Sequence, residues 1–343
     1  MTGPTRRILL QGAAAAAAAG LWPGRGPPRA QPAGRFRIAM VLPRGVDPPA
    51  QGFIDYLERQ GVEADYTILD LTEPGASAED AVARIREDRP DLVYTWGTPT
   101  TLAVVGRWDT TEPGRHITDI PVVFTTVSAP EASGVVQSLA RPGRNVTGVS
   151  HIPPLETQIN TITAYRRDVR TLGVVYNPLE PNSAINVAAL HTYLPDRGIA
   201  LIDRPVPVGP DGEPDGTAVP RLVADLAAEG VDFLYIGPDT FVAVDNRDSL
   251  TLAAMRAGLP TFAATESIVR RSHALVGLFS SALGVGRFAG FKAEQILVEG
   301  RAPGEIPVET LRRFSLLINM RVARRIEAYP PLSLLNLAEI VRE

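Results

Sequence analysis

Four short polar turns hold the residue types from which a ligand site can be built: Gly97-Thr98-Pro99-Thr100-Thr101, Thr125-Thr126-Val127-Ser128, the stretch Asn177 to Ser183 (with Asn182 and Ser183 opening a helix), and Gly237-Pro238-Asp239-Thr240. Each follows an apolar run and opens a helical pattern or an extended connection. Backbone N–H groups at a helix start carry partial positive charge, and with threonine hydroxyls beside them they hold a carboxylate. Asp239 suits a ligand amine. Ser, Thr, Asn and Asp are also favoured helix caps, so capping alone accounts for any one of these residues. The four turns as a group fit a ligand cleft. Trp96, beside Thr98, offers an aromatic face for stacking, and it equally shares a strand face with Leu92 and Tyr94 as a core residue. Arg44 and Arg270 or Arg271 offer charge to an anion, although an exposed arginine is the ordinary reading.

Catalytic and metal chemistry find little to work with. The four histidines (His116, His151, His191, His273) have no i+2 or i+4 pairing, so no metal-ligand spacing exists, and there is no cysteine for a thiolate site, a nucleophile or a disulfide. Neither a Gly-x-Ser-x-Gly elbow nor a phosphate-binding Gly-Lys loop occurs, and Lys292 is the sole lysine. Gly284-Val285-Gly286-Arg287-Phe288-Ala289 matches Gly-x-Gly-x-x-Ala, but it sits near the chain end with Ser280–Leu283 between it and the preceding strand. Close packing of a helix against the sheet explains it better than a dinucleotide loop. No enzyme, cofactor or metal is expected.

These turns are punctuated by alternating strand and helix patterns. Expected strands are Phe36–Leu42, Ala64–Leu71, Asp91–Trp96 and Pro121–Val127, with helices over Pro49–Gln60, from Ser77, and over Thr98–Trp108. The pattern restarts with strands Thr171–Asn177, Ile199–Val206, Asp232–Ile236, Pro260–Ala263 and Ala274–Phe279, and helices Asn182–Leu194, Thr217–Glu229, Asp239–Ala257 and Gly284–Val298. A strand Phe314–Ile318 and a helix Met320–Ala328 follow. Strands alternating with helices of this length imply parallel sheets, so the fold class is α/β with two doubly wound parallel-sheet lobes. The Pro/Gly-rich stretch 142–154 is the expected first hinge. The expected division is 34–148 plus about 275–312 for one lobe, and 149–274 plus about 313–343 for the other.

The chain has 343 residues and a formal net charge of −4. Its 45% hydrophobic and 21% charged residues are ordinary for a packed globular chain and exclude disorder and coiled coil. Residues 1–30 hold four arginines and no acid, and the rest of the chain carries 30 basic and 38 acidic residues, a net −8 that points away from nucleic acid. Arg6-Arg7-Ile8-Leu9-Leu10, an Ala-rich run to Trp22 and a Pro/Gly/Arg tail read as an export signal with linker over 1–33. The paired arginines resemble a twin-arginine signal, and an ordinary Sec signal fits the same residues. A periplasmic chain without a lipid anchor is expected.

The segment Ile120–Ser150, with Leu139-Ala140-Arg141-Pro142-Gly143 followed by Asn145-Val146-Thr147-Gly148, resembles the ABC transporter substrate-binding family of the tryptophan/tyrosine type. Val175 to Ser183 resembles it too, as do Leu317-Ile318-Asn319, Ala323 and Tyr329 to Leu335. The resemblance implies a type I periplasmic-binding fold with two lobes and three hinge crossings. It implies a small ligand, an amino acid or related carboxylate, trapped between the lobes and delivered to a membrane permease served by a cytoplasmic ATPase. By position, Thr98, Ser128, Asn182, Ser183 and Asp239 fall where such proteins contact ligand, and Thr100, Thr240, Trp96 and Phe279 adjoin them. Ala129 stands where the family usually has an aspartate, and Phe279-Ser280-Ser281 replaces the usual Tyr-Gly turn, so the ligand need not be aromatic. A monomer is expected. A binding protein serving a membrane receptor, and an exported α/β enzyme, are the alternative functions.

Overall fold

The computed structural model describes residues 34–341, so the expected export signal lies outside the described residues. Two sheets organise the chain. The first begins with β1 (Phe36–Leu42), α1 (Pro48–Arg59), β2 (Ala64–Asp70), α2 (Ala78–Asp88), β3 (Leu92–Trp96), α3 (Thr98–Val105), β4 (Val122–Thr125) and β5 (Val146–Ser150). The second follows with α4 (Leu155–Tyr165), β6 (Thr171–Tyr176), α5 (Pro181–Tyr193), β7 (Ala200–Pro205), α6 (Val219–Ala228), β8 (Phe233–Ile236), α7 (Arg247–Arg256), β9 (Thr261–Ala263), α8 (Glu266–Arg271) and β10 (Val276–Phe279). The chain ends with α9 (Ala282–Leu297), β11 (Glu309–Thr310), β12 (Ser315–Asn319), α10 (Met320–Arg325), α11 (Leu332–Leu335) and β13 (Glu339–Val341).

The first sheet runs β11-β5-β4-β3-β1-β2 and the second β13-β12-β10-β9-β8-β6-β7. Near-continuous apolar strands such as Ile38-Ala39-Met40-Val41-Leu42 are buried on both faces, as a helix-covered parallel sheet requires. One side of the first sheet packs Phe53, Leu57, Val285 and Ala289 from α1 and α9, and the other packs Val82, Ile85, Val104 and Val105 from α2 and α3. The second sheet is sandwiched likewise between α4 and α5 on one side and α6, α7 and α8 on the other.

The chain crosses between the lobes three times: after β5, after β10 and after β11. Two sequence expectations need correction. The strand β10 pairs with β9 in the second sheet, so the return to the first lobe comes at Ser280 rather than before residue 275. Its partner β12 is antiparallel to it, with Phe279 opposite Ser315, where parallel pairing was expected throughout. Because β10 ends beside the cleft and the chain re-enters the second lobe from the cleft, β12 has to run the opposite way.

Local sequence explains most element ends. Asp47 caps α1 by accepting from the Ala50 N–H, and Ser77 caps α2 by accepting from Asp80. The expected helix Asp239–Ala257 is broken into a π-helical turn, Phe241–Asp245, and α7. The Asn246 side-chain amide donates to the Phe241 carbonyl at the break. The stretch 142–154 was expected to be hinge throughout, but Val146–Ser150 is the interior strand β5, and the hinge proper starts at His151. Within Gly284 to Ala289, Val285 and Ala289 pack on the first sheet as expected, and Gly286 packs helix on helix against α1. A Cβ on Gly286 would stand 1.9 Å from the Pro49 carbonyl, and one on Gly52 would stand 2.3 Å from that of Leu283. Lys292 is buried, and its ammonium holds the Pro307 carbonyl and Glu309.

Candidate ligand-binding cleft

The turns that follow β1, β3, β4, β5, β6, β8, β9 and β10 converge on one cavity of about 450 Å³. From the first lobe come Arg44 and Asp47 after β1, Trp96 to Thr98 after β3, Thr126 and Ser128 after β4, and His151 at the first crossing. The second lobe supplies Asn182, Asp239 and Thr240, Thr265 to Ser267, and Arg247, Arg270 and Arg271. Phe279 to Leu283 form the second crossing along one wall. Ligands of open α/β sheets bind at such carboxyl ends, where loops converge and helices begin.

Of the sequence-derived candidates, Trp96, Thr98, Ser128, Asn182, Asp239, Thr240 and Phe279 line this cavity. Thr100 and Ser183 are buried but do not. Thr100 lies two residues beyond Thr98 on α3, about 200° around the helix. Ser183 donates its hydroxyl proton to Asp239 from behind the wall.

The helix start at α3 is open. Gly97, with φ +78°, brings no side chain to cap it, and because Pro99 has no N–H and the Thr101 N–H bonds the Gly97 carbonyl, the first turn leaves the N–H groups of Thr98 and Thr100 uncapped, with Thr98 on the cavity wall. Thr126 also holds a left-handed conformation, φ +61°. A β-branched residue there is strained by about 1–3 kcal/mol. The turn places its hydroxyl on the wall with no hydrogen-bond partner.

Asp239 has less freedom than its sequence position suggested. One carboxylate oxygen accepts from the Val242 N–H, and the other from the Asn177 N–H and Ser183. Burial, with the charge of nearby Glu180, raises its pKa to about 6. Glu180 in turn is held by the N–H and hydroxyl of Thr240 and by Asn182. These two acids knit the turns after β6 and β8 together. Asp47 is also pushed up by burial, against the Ala50 N–H, Trp96 and the Arg44 charge. His151 is driven down to about 4 by burial, so it is neutral at pH 7.

His151 and Arg247 were not among the sequence candidates for the cleft, Arg44 was read first as surface charge, and Thr126 and Ser280 were named only as members of turns near the cleft. Arg44 stacks over the Trp96 ring, its guanidinium carbon 5.1 Å from the centroid, and the indole N–H stops short of a formed hydrogen bond with Asp47. Trp96 therefore packs against the first-lobe core with one face and meets the cavity with the rest. Among the described residues, eleven buried side-chain polar atoms lack a partner, and seven belong to cavity residues: Arg44, Trp96, Thr126, His151, Asn182, Arg247 and Ser280. Folded proteins satisfy nearly all such atoms with protein groups or ordered water, so this concentration marks a place where water or a bound molecule can supply the partners. No sequence pattern signals it, because the burial arises from the meeting of two lobes.

Comparison with known proteins agrees with this architecture. A tyrosine-binding protein of Clostridioides difficile (strain R20291) is 27% identical over 281 residues, covering 80% of this chain and 75% of that protein. A conserved domain protein of Vibrio cholerae shares 26% identity and a TM-score of 0.77, over 90% of this chain and all of that one. An ABC domain from Streptococcus pneumoniae in complex with L-Trp has the same fold, with a TM-score of 0.77 at 21% identity over 90% of this chain and 100% of that chain. The model of the ABC transporter substrate binding protein family matches residues 38–341, from the first strand to the last. The two lobes, the three crossings and the cleft at the strand ends are thus the parts of a family architecture, and the chain belongs to the ABC transporter substrate-binding protein family.

Proposed function

We propose that this protein is exported, binds a small ligand, an amino acid or related carboxylate, between its lobes outside the cytoplasm, and delivers it to an ABC permease in the membrane. Trp96, Thr98, Ser128, Asn182, Asp239, Thr240 and Phe279 form the ligand wall in this reading. The observation that carries it is the gathering of seven unpartnered buried polar atoms around one interlobe cavity. The open start of α3 beside Thr98 suits a carboxylate, and Trp96 with Phe279 suits an apolar body. That the relatives include a tyrosine-binding protein and a domain solved with L-Trp supports the ligand class.

Each lobe supplies part of the wall, so a ligand touching both stabilises the closed arrangement and shifts the population toward it. Micromolar binding corresponds to about −8 kcal/mol. Three or four charge-assisted hydrogen bonds, each worth about 1.5–3 kcal/mol, supply that scale before ordering costs. A thermal-shift screen of the purified chain against amino acids and small carboxylates tests the reading. A ligand at 100 times its dissociation constant adds about 2.7 kcal/mol of stability. A panel in which nothing raises the melting temperature would contradict it.

A further inference from the structure

Within that reading, which this step depends on, the cleft's unused valences select among carboxylates. Three of the unpartnered atoms are obligate donors: the Nε–H of Arg44, the Nε–H of Arg247 and the indole N–H of Trp96. The hydroxyls of Thr126 and Ser280 add two groups that donate readily, and Ser280 is only 5% exposed. The one obligate acceptor is the amide oxygen of Asn182, whose orientation is fixed because its nitrogen donates to Glu180 and to the Pro238 carbonyl.

The cavity's acids are already engaged. Asp239 has three internal donors, Asp47 caps α1, and Glu266 pairs with Arg270 at 2.6 Å. In contrast, Arg44 and Arg271 make no ion pair among the described residues, and Arg247 only approaches its neighbour Asp248 at 3.7 Å. An ammonium group brings three donors and no acceptor. Here it would meet one obligate acceptor, the Asn182 oxygen, beside the Thr126 and Ser280 hydroxyls and the neutral His151 ring, which can donate or accept, and it would face three obligate donors, two of them on cationic side chains.

We propose that the preferred ligand is a carboxylate with an apolar body and no free α-ammonium group, a net anion rather than a zwitterionic amino acid. Its carboxylate takes the donors at the open start of α3 and the Arg44 side, and its apolar body lies along Trp96 and Phe279. A hydroxyl or amide N–H on that body can use the Asn182 oxygen.

Calorimetric titration of the full chain with matched pairs tests this: L-tryptophan against indolepropionate, L-phenylalanine against phenylpropionate, L-tyrosine against hydroxyphenylpropionate, and L-leucine against isocaproate. The expected result is that the des-amino member of at least one pair binds tenfold or more tightly than its amino acid. Arg44→Gln, checked for folding by circular dichroism, weakens that ligand about tenfold and Arg44→Lys recovers part of the loss. If amino acids bind as well as or better than their des-amino partners, this inference is overturned while the transport reading stands. If no member of any pair binds, the carboxylate reading itself falls and takes this one with it.

Discussion

Ser183 donates its hydroxyl proton to Asp239, joining the first turn of α5 to the turn that follows β8. The bond satisfies one side of a buried carboxylate whose other donors are backbone N–H groups. Ser183→Ala removes that donor and leaves the carboxylate's neighbours in place, so a hydrogen bond to a charged group is lost at a cost of about 1.5–3 kcal/mol. Urea denaturation measures it. An unchanged midpoint would show that the two turns are held by other contacts.

Asp239 and His151 make stability depend on pH in opposite senses. Asp239 has a folded pKa raised from 3.8 to about 6, so the native state holds a proton that the unfolded chain has released, and its contribution declines as pH rises through that window. His151 has a folded pKa lowered from 6.5 to about 4, so its contribution is complete at neutral pH and is lost as pH falls toward 4. The two slopes offset each other in the wild type. Between about pH 7 and about pH 4, His151→Gln therefore loses less melting temperature than wild type, and Asp239→Asn loses more. The reverse order in either variant would contradict the burial of that group.

Gly286 marks where α9 touches α1. An added Cβ would stand 1.9 Å from the Pro49 carbonyl and 2.9 Å from the Phe53 nitrogen, all backbone that cannot turn aside. Gly286→Ala forces the helices apart and costs about 3 kcal/mol, at the upper end of overpacking penalties. The nearby Gly284→Ala meets only side chains, at 3.1 Å from Leu311 and 3.3 Å from Ser281, and stays within about 1 kcal/mol because helix propensity gained offsets the crowding. Thermal melts of the pair distinguish a packing glycine from a phosphate-loop glycine, which would leave stability unchanged.

The most specific stretch of the sequence turns out to hold the fold together more than it shapes the cleft. Arg144 donates to the carbonyls of Val105, Gly106 and Val135, Asn145 to those of Ile117 and Ile120, and Thr147 to that of Ile306. A Cβ on Gly148 would stand 2.4 Å from the Phe124 carbonyl. The motif was therefore a reliable guide to architecture, and none of its residues from Leu139 to Gly148 lines the cavity. Asn145→Ala leaves two carbonyls without their donor and costs about 2–4 kcal/mol by the usual penalty for orphaned groups, with ligand affinity unchanged by calorimetry. Strands and capped helices were legible because their signals are local, as with Ser77 and the apolar run of β1. The helix α4 was not, because Leu155 to Tyr165 is rich in threonine and buries only Gln158, Ile159, Ile162 and Tyr165. The arginines of the cleft looked like surface residues, since only the facing lobe encloses them.

Thr126 sets stability against binding. Its φ of +61° is costly for a β-branched residue, and its hydroxyl lies on the cavity wall without an internal partner. Glycine adopts that conformation freely, though it carries more unfolded-chain entropy. The relief of roughly 1–3 kcal/mol exceeds the glycine cost of about 0.5–1 kcal/mol, so Thr126→Gly should be about 1 kcal/mol more stable than wild type. The same change removes a hydroxyl donor from the wall and lets the turn after β4 relax, so the affinity for a carboxylate ligand should fall about tenfold, or 1.4 kcal/mol. Melting temperature and titration read the two effects separately. A variant that is more stable and binds undiminished would show that the strain serves no ligand, and one that loses stability would show that the left-handed turn is held by contacts the Thr126 side chain itself makes.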